Sequence, residues 1–309
     1  MNGFTWAVLA VIASGPIGGP AAVDDLVREA LGRFPRQTSH FEVCDLTRMR
    51  SLPSYAALRE RFMGGDVQQL VASLATLGVH DEDVDRLALG AGPGPQGLQL
   101  YGVAQGRFDL PTIMAGAQAA GIEPLRINGF SAYCFGDAST SPCIAIINEA
   151  RGVFGSRDMV DFMLYATDET DSLSKDPVVS ARAARAPADA TIWGMATGPA
   201  VAEWVRVVMP MPAEGQNSLA PVLSNVVSVA YDVRAGQKAT MTADLTCTSA
   251  ESAAGLRQAL DAVRLLQQFA WKALHPDAAN PYAQLAFRTQ GAQLLVNATM
   301  DYAALGAAR

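Results

Sequence analysis

The pattern Gly92-x-Gly94-x-x-Gly97 has the spacing of a phosphate-binding loop, where glycines let backbone N–H groups close on a phosphate at the start of a helix. Ser172-x-x-Lys175 matches the serine–lysine spacing of penicillin-recognising enzymes. His80 opens a run in which Asp81, Asp83 and Asp85 alternate as the ligands of a cation-binding turn do. His40 and Glu42 stand two apart in an extended segment, so they share a strand face and form the most enzyme-like pair in the chain. Carboxylates also pair at Asp158 with Asp161 and at Asp168 with Glu169.

Each pattern has a plainer reading. A dinucleotide loop must pass from strand directly into helix. Gly97 is instead followed by a second strand pattern, and Pro93 and Pro95 remove two N–H donors, so the glycines are expected to turn a hairpin. Ser172 and Lys175 lie in a polar stretch, and the sequence has neither a Lys-Thr-Gly strand nor a Gly-x-Ser-x-Gly elbow to serve them. The aspartates after His80 lack the glycine and terminal glutamate of a calcium loop and read as a solvated turn. His40, His80 and His275 fall in three different elements without metal-ligand spacing, so neither a metal nor a cofactor is expected. A half-exposed polar strand face accounts for His40 and Glu42. Surface carboxylates are too common to mark acid/base catalysis without a pocket, so no catalytic residue is assigned.

The elements that would position these residues are legible from periodicity. In the first half, a strand is expected at 38–46 and helical patterns at 49–62 and 66–78. Strands follow on both sides of the glycine loop, then a helix from Asp109 to Ala120 stopped by Gly121. Strands at 123–135, 142–148 and 151–156 lead to a helix with Ser156 as its N-cap. The second half repeats this order: a strand at 188–197, a helix, a hairpin over 225–248, a long helix and two closing strands. The long helix is expected to open with the capping box Thr248-x-x-Glu251 and to carry Leu256, Leu260, Val263, Leu266 and Ala270 on its core stripe.

Met241, Ala243, Leu245 and Cys247 alternate with Thr242, Asp244, Thr246 and Thr248, the signature of a strand with one wet face, and such sheets are generally antiparallel. The fold class is therefore α+β, an internal duplication of a β-α-β-β-α-β-like unit with mainly antiparallel sheets and helices packed on one face. The expected divisions are a signal peptide at 1–22, a first repeat at 23–170, a polar linker at 171–187 punctuated by Pro177 and Pro187, and a second repeat at 188–309.

Half of the residues are hydrophobic, only 17% are charged, and the net charge is -7, which argues against a nucleic-acid partner. The apolar run from Phe4 to Ala13, followed by small residues and a Gly/Pro stretch, resembles a secretory signal cleaved near Ala21 or Ala22, although no Lys or Arg precedes it. A buried N-terminal helix or strand is the alternative. The run is short for a bilayer span, and no later segment has the ~20 apolar residues of one, so the mature chain is expected to be soluble.

The segments RSLPSYAALRERFMGGDVQQLVASLATLGVHDEDVDRLALG, GVFGSRDMVDFML and ADLTCTSAESAAGLRQAL resemble uncharacterised exported proteins of environmental bacteria. The resemblance spans roughly residues 38–271 and rests on helix starts and strand patterns. It implies the duplicated fold and export, hence a periplasmic or secreted location, and transfers no site residue.

Cys134 ends one strand pattern and Cys143 begins the next, with turn formers between, so a hairpin would bring them opposite one another for a disulfide. Cys247 lies on an apolar strand face and is expected to be a buried thiol, while Cys44 stays unassigned. The expectation for function is a non-catalytic exported binding or scaffold protein, presenting a sheet face or inter-repeat groove to a protein or small ligand. The alternative is a hydrolase whose residues converge from distant positions.

Overall fold

The alternating residues on either side of the glycine loop fold as a hairpin of β2 (Val84–Gly94) and β3 (Gly97–Gly106), and Gly94 pairs directly with Gly97. This and the other elements come from a computed structural model that describes residues 24–52, 55, 65–94, 97–167, 170–208, 219–277, 279–280 and 282–300. The expected signal segment 1–22, Pro95, the Asp168–Glu169 pair and most of the helical pattern at 49–62 lie outside the described residues. The chain divides into two units, the first drawing on residues 24–47 and 65–186, the second on 48–52 and 187–300.

In the first unit α1 (Asp25–Arg33) is capped by Asp24, whose carboxylate accepts from Leu26 N and from Arg86 of β2 at 2.7 Å, and its apolar stripe buries Leu26, Val27, Ala30 and Leu31. β1 (His40–Asp45) follows, then α2 (Leu46–Arg50), which straddles the division between units, and α3 (Gly65–Thr76). After the β2–β3 hairpin, α4 (Leu110–Ala119) ends where Gly121 takes φ +68°. The stretch expected as a single strand at 123–135 is instead two, β4 (Leu125–Ile127) and β5 (Phe130–Cys134). Asn128 and Gly129 between them both have positive φ, 46° and 84°, the requirement of a tight two-residue turn. β6 (Pro142–Asn148), β7 (Arg151–Ser156) and α5 (Arg157–Tyr165) complete the order, with Ser156 accepting from Met159 N as the N-cap. The antiparallel sheet runs β1-β2-β3-β7-β6-β5-β4.

Residues 171–187, expected as a solvated linker, are almost entirely structured parts of the first unit, which ends at Ala186. Leu173 is buried and its N–H donates to Phe34 O, and Pro35 bridges Ser172. Asp176 then caps α6 (Pro177–Ala183), which buries Val179 and Ala183. Asp176 and Pro177, which suggested a linker, are helix-start chemistry, because Asp before Pro supplies a cap acceptor and a preset φ, whereas Pro187 opens a turn in which its carbonyl accepts from Ala190 N.

The second unit contains β8 (Ile192–Thr197), α7 (Pro199–Val208), the hairpin β9 (Val226–Ala235) and β10 (Ala239–Cys247), then α8 (Ala250–Leu274), β11 (Ala286–Gln290) and β12 (Gln293–Met300). Its sheet order is β8-β9-β10-β12-β11, also antiparallel. On β10 every second residue from Ala239 to Cys247 is buried, and Met241, Ala243 and Leu245 pair with Ala298, Val296 and Leu294 of β12. This apolar face lies beneath α8, which buries Ala253, Leu256, Leu260 and Trp271. Leu266 and Ala270, expected on that stripe, are exposed, and the N-cap is Ser249 rather than Thr248, accepting from Ser252 N at 3.0 Å. The molecule is thus α+β with antiparallel sheets. Both units place a strand and helical segment before a hairpin, follow the hairpin with a helix, and return the last strand against the hairpin's second strand, β7 on β3 and β12 on β10.

Candidate functional site

β1 holds the side chains with the most chemical potential. The register places His40 opposite Ala91, Glu42 opposite Leu89 and Cys44 opposite Leu87, so the three polar residues form one stripe against three apolar partners. The row containing Glu42 continues through Leu89 and Gly102 to Phe154 across four strands. Gly102 has no side chain there because the Phe154 ring fills the space: an added Cβ would lie 2.3 Å from Phe154 Cζ.

Glu42 has only 1% of its side chain exposed, while His40 keeps 30%. The Cys44 thiol donates to Glu42 Oε1 at 3.3 Å, and His40 Nε2 lies 4.0 Å from Glu42 Oε2. Burial, with the nearby Glu42 charge adding to it, pushes the Cys44 thiol well above its ordinary value, so it stays protonated and is a poor nucleophile. Although the His40 side chain is part exposed, desolvation drives its pKa down to about 4. The imidazole is therefore neutral at pH 7 and its contact with Glu42 is not an ion pair. The arrangement can satisfy a buried carboxylate, and it keeps both Glu42 and Cys44 away from a substrate in solution.

The opposite face of the same strands explains the glycine pattern. Tyr101 pairs with Gly90, and Phe34 packs edge-on against both Phe41 and Tyr101 with ring centroids 5.9 and 5.1 Å apart. A Cβ on Gly90 would lie 2.4 Å from the Tyr101 ring and 2.9 Å from Phe34, and one on Gly92 would lie 3.0 Å from the Tyr101 hydroxyl. Tyr101 donates to Thr38 Oγ1 at 2.8 Å, because the single Thr38 hydroxyl proton goes to Pro35 O. Burial raises the Tyr101 pKa to about 12, with the Thr38 hydrogen bond opposing part of the rise. Gly90 and Gly92 thus make room for an aromatic cluster.

The other sequence patterns do not converge on these residues. His80 and the aspartates form a one-turn 3-10 helix at Asp81–Asp83, with His80 N donating to Asp83 Oδ2, and Asp85 lies 3.6 Å from Arg107. Among the described residues no group of three His, Cys, Asp or Glu side chains is placed to hold a metal ion. Ser172 is buried with its hydroxyl on Ser174, and Lys175 ends the same short turn. His275 caps the C-terminal end of α8, its ring 4.4 Å from that of Trp271. Asp158 lies in the first turn of α5. Cys134 and Cys143 are directly paired across β5 and β6 and joined as a disulfide, while Cys247 is a buried free thiol. The sequence reading missed Cys44 as the partner of Glu42, although its i+2 position on the same strand was the available signal.

No protein-family model matches this chain, and comparison with curated proteins finds no match. Among solved structures, crystal form I of TP0453 is similar at a TM-score of 0.52 and 10% identity, covering 93% of this chain and 96% of that one. Crystal form III of TP0453 gives a TM-score of 0.48 at 10% identity, covering 90% and 96%. The first likeness shows a TP0453-like fold and carries no functional residue with it.

Proposed function

We propose that this is a non-catalytic exported protein that binds a partner protein or small ligand through a polar sheet face, on a scaffold made by internal duplication. The observation that carries the reading is the burial of Glu42 and Cys44: the most reactive-looking side chains satisfy one another within a strand row. The partner face is the outer side of the β9–β10–β12 sheet. There Thr240, Thr242, Asp244 and Thr246 are part exposed, Thr242 donates to Asp232, and Arg234 holds Asp232 and Asp189 at 3.3 and 2.9 Å. Such a face offers fixed hydroxyls and charges without a nucleophile–base pair. The Cys134–Cys143 disulfide supports export, since such bonds persist in oxidising compartments, and the shared order of elements in the two units supports duplication.

Native mass spectrometry of protein isolated from its host tests this directly. A stoichiometric partner or organic ligand is expected, and it should be lost from a Thr240→Lys, Thr246→Lys variant of unchanged thermal stability. Turnover of an ester, peptide, phosphate or glycoside substrate, abolished in a folded Glu42→Gln variant, would replace this reading with the hydrolase alternative.

A further inference from the structure

The C-terminal half of α8 carries a second apolar stripe on the side away from its buried one. Ala262, Leu265, Leu266, Phe269, Ala270 and Ala273 are all exposed, with 46%, 69% and 72% exposure at Leu265, Leu266 and Phe269. Spacings of three, four and seven put them on one face, over a rise of about 16 Å. None is charged. The core side of the helix is already occupied by Ala253, Leu256, Leu260 and Trp271 against the sheet, so this outer stripe contributes nothing to that core.

We infer that this face of α8 docks on the same face of a second copy of the chain, helix against antiparallel helix. The order of side-chain sizes is self-complementary in that arrangement. With the two-fold axis passing between Gln267 and Gln268, Ala262 faces Ala273, Leu265 faces Ala270 and Leu266 faces Phe269 of the other copy. Leu266 and Phe269 therefore meet at the centre, where they fill the space between the helices, and the alanines lie toward the ends.

The exposed parts of the three large side chains, with the alanines around them, amount to roughly 400–500 Å² per copy, taking about 150–250 Å² for a large side chain. A pair of copies then buries at most about 800–1,000 Å², the small end for a specific interface, so the dimer is weak and concentration-dependent. The flanking charges favour a protein surface over a membrane. Arg257 and Arg264 are held by Asp261 at 3.4 and 3.0 Å, and Lys272 is exposed beside the stripe, whereas a helix lying on anionic lipid carries a row of free cations.

Sedimentation velocity of the full chain over a concentration series is expected to show reversible monomer–dimer exchange. Leu266→Glu and Phe269→Glu should each weaken it about 30-fold or more without changing the circular dichroism spectrum. An Ala262→Cys, Ala273→Cys variant should cross-link into dimers on mild oxidation, and Ala262→Cys alone should not. The inference is overturned by a monomer at every attainable concentration or by a dimer indifferent to both glutamates. It is equally overturned if phospholipid vesicles, neutral or anionic, capture the wild type but not Phe269→Glu.

Discussion

An added methyl at Gly102 would lie 2.3 Å from Phe154 Cζ and 2.8 Å from the Ala88 carbonyl oxygen, and that second neighbour is backbone, which cannot step aside. Gly102→Ala is therefore expected to destabilise the fold by about 1–3 kcal/mol in urea unfolding, the usual range for overpacking. Gly32, inside α1 with nothing within 4 Å of an added Cβ, is the control: alanine there should stabilise by about 0.5–1 kcal/mol. His40 provides the pH-dependent counterpart. Its pKa falls from 6.5 to about 4 on folding, so between those values the unfolded chain binds more protons than the native one. Stability from this group is complete above pH 6.5 and is lost as the pH falls toward 4, by at most on the order of 3 kcal/mol. Thermal melts of His40→Gln should show a shallower loss between pH 6.5 and 4 than the wild type. Sequence showed that His40 and Glu42 share a face but not that Glu42 is buried, because a charged residue in an alternating strand is ordinarily counted as wet. What reverses that expectation is the company it keeps, Cys44 as a donor on its own strand and Leu87 and Leu89 across from it.

At the scale of elements, the Cys134–Cys143 disulfide closes a loop that also serves α5. Arg157 N donates to Ser141 O at 3.0 Å and Asp158 N to Ser139 O at 3.2 Å, so the loop carbonyls satisfy N–H groups that the helix start leaves open. Replacing both cysteines by serine is expected to cost about 2–3 kcal/mol, and hydrogen exchange should quicken first at Arg157 and Asp158. Global loss of protection at the same rate across β2 and β3 would count against this local coupling. The disulfide was legible because turn residues between two apolar patterns fix a hairpin and therefore a register. The β4–β5 turn was equally available in Asn128-Gly129, a strong hairpin signal, yet the apolar residues around it read as one continuous strand. On α8 the 3.6-residue period gave the right helix, but periodicity alone does not say which of two apolar stripes faces the sheet: Leu256 and Leu260 do, Leu266 does not. Packing against β10 and β12 makes that choice, and it is a tertiary property.

At the scale of the whole molecule, the repeated order of elements suggested two consecutive halves, whereas the chain contributes to its units discontinuously. Residues 48–52 belong with the second unit although both flanking stretches belong to the first. Arg48 shows the connection locally, with Nη1 donating to Ala188 O and Ala190 O at 3.4 Å. A fragment beginning at Pro187 therefore lacks part of its own unit, and a fragment ending at Ala186 carries a segment with no unit to join. Expressed alone, the fragment from Pro187 is not expected to give a cooperative thermal transition; supplied with the fragment that ends at Ala186, it should recover one. Nor does the expected linker offer a cut at Lys175, since Leu173 and Val179 on either side of it are buried in the first unit. Limited proteolysis of the intact chain should spare 171–183 for as long as it spares α1, whose neighbour Phe34 accepts the Leu173 N–H. Early cleavage at Lys175, or a fragment from Pro187 onward that melts cooperatively by itself, would restore the reading of two self-contained halves joined by a linker.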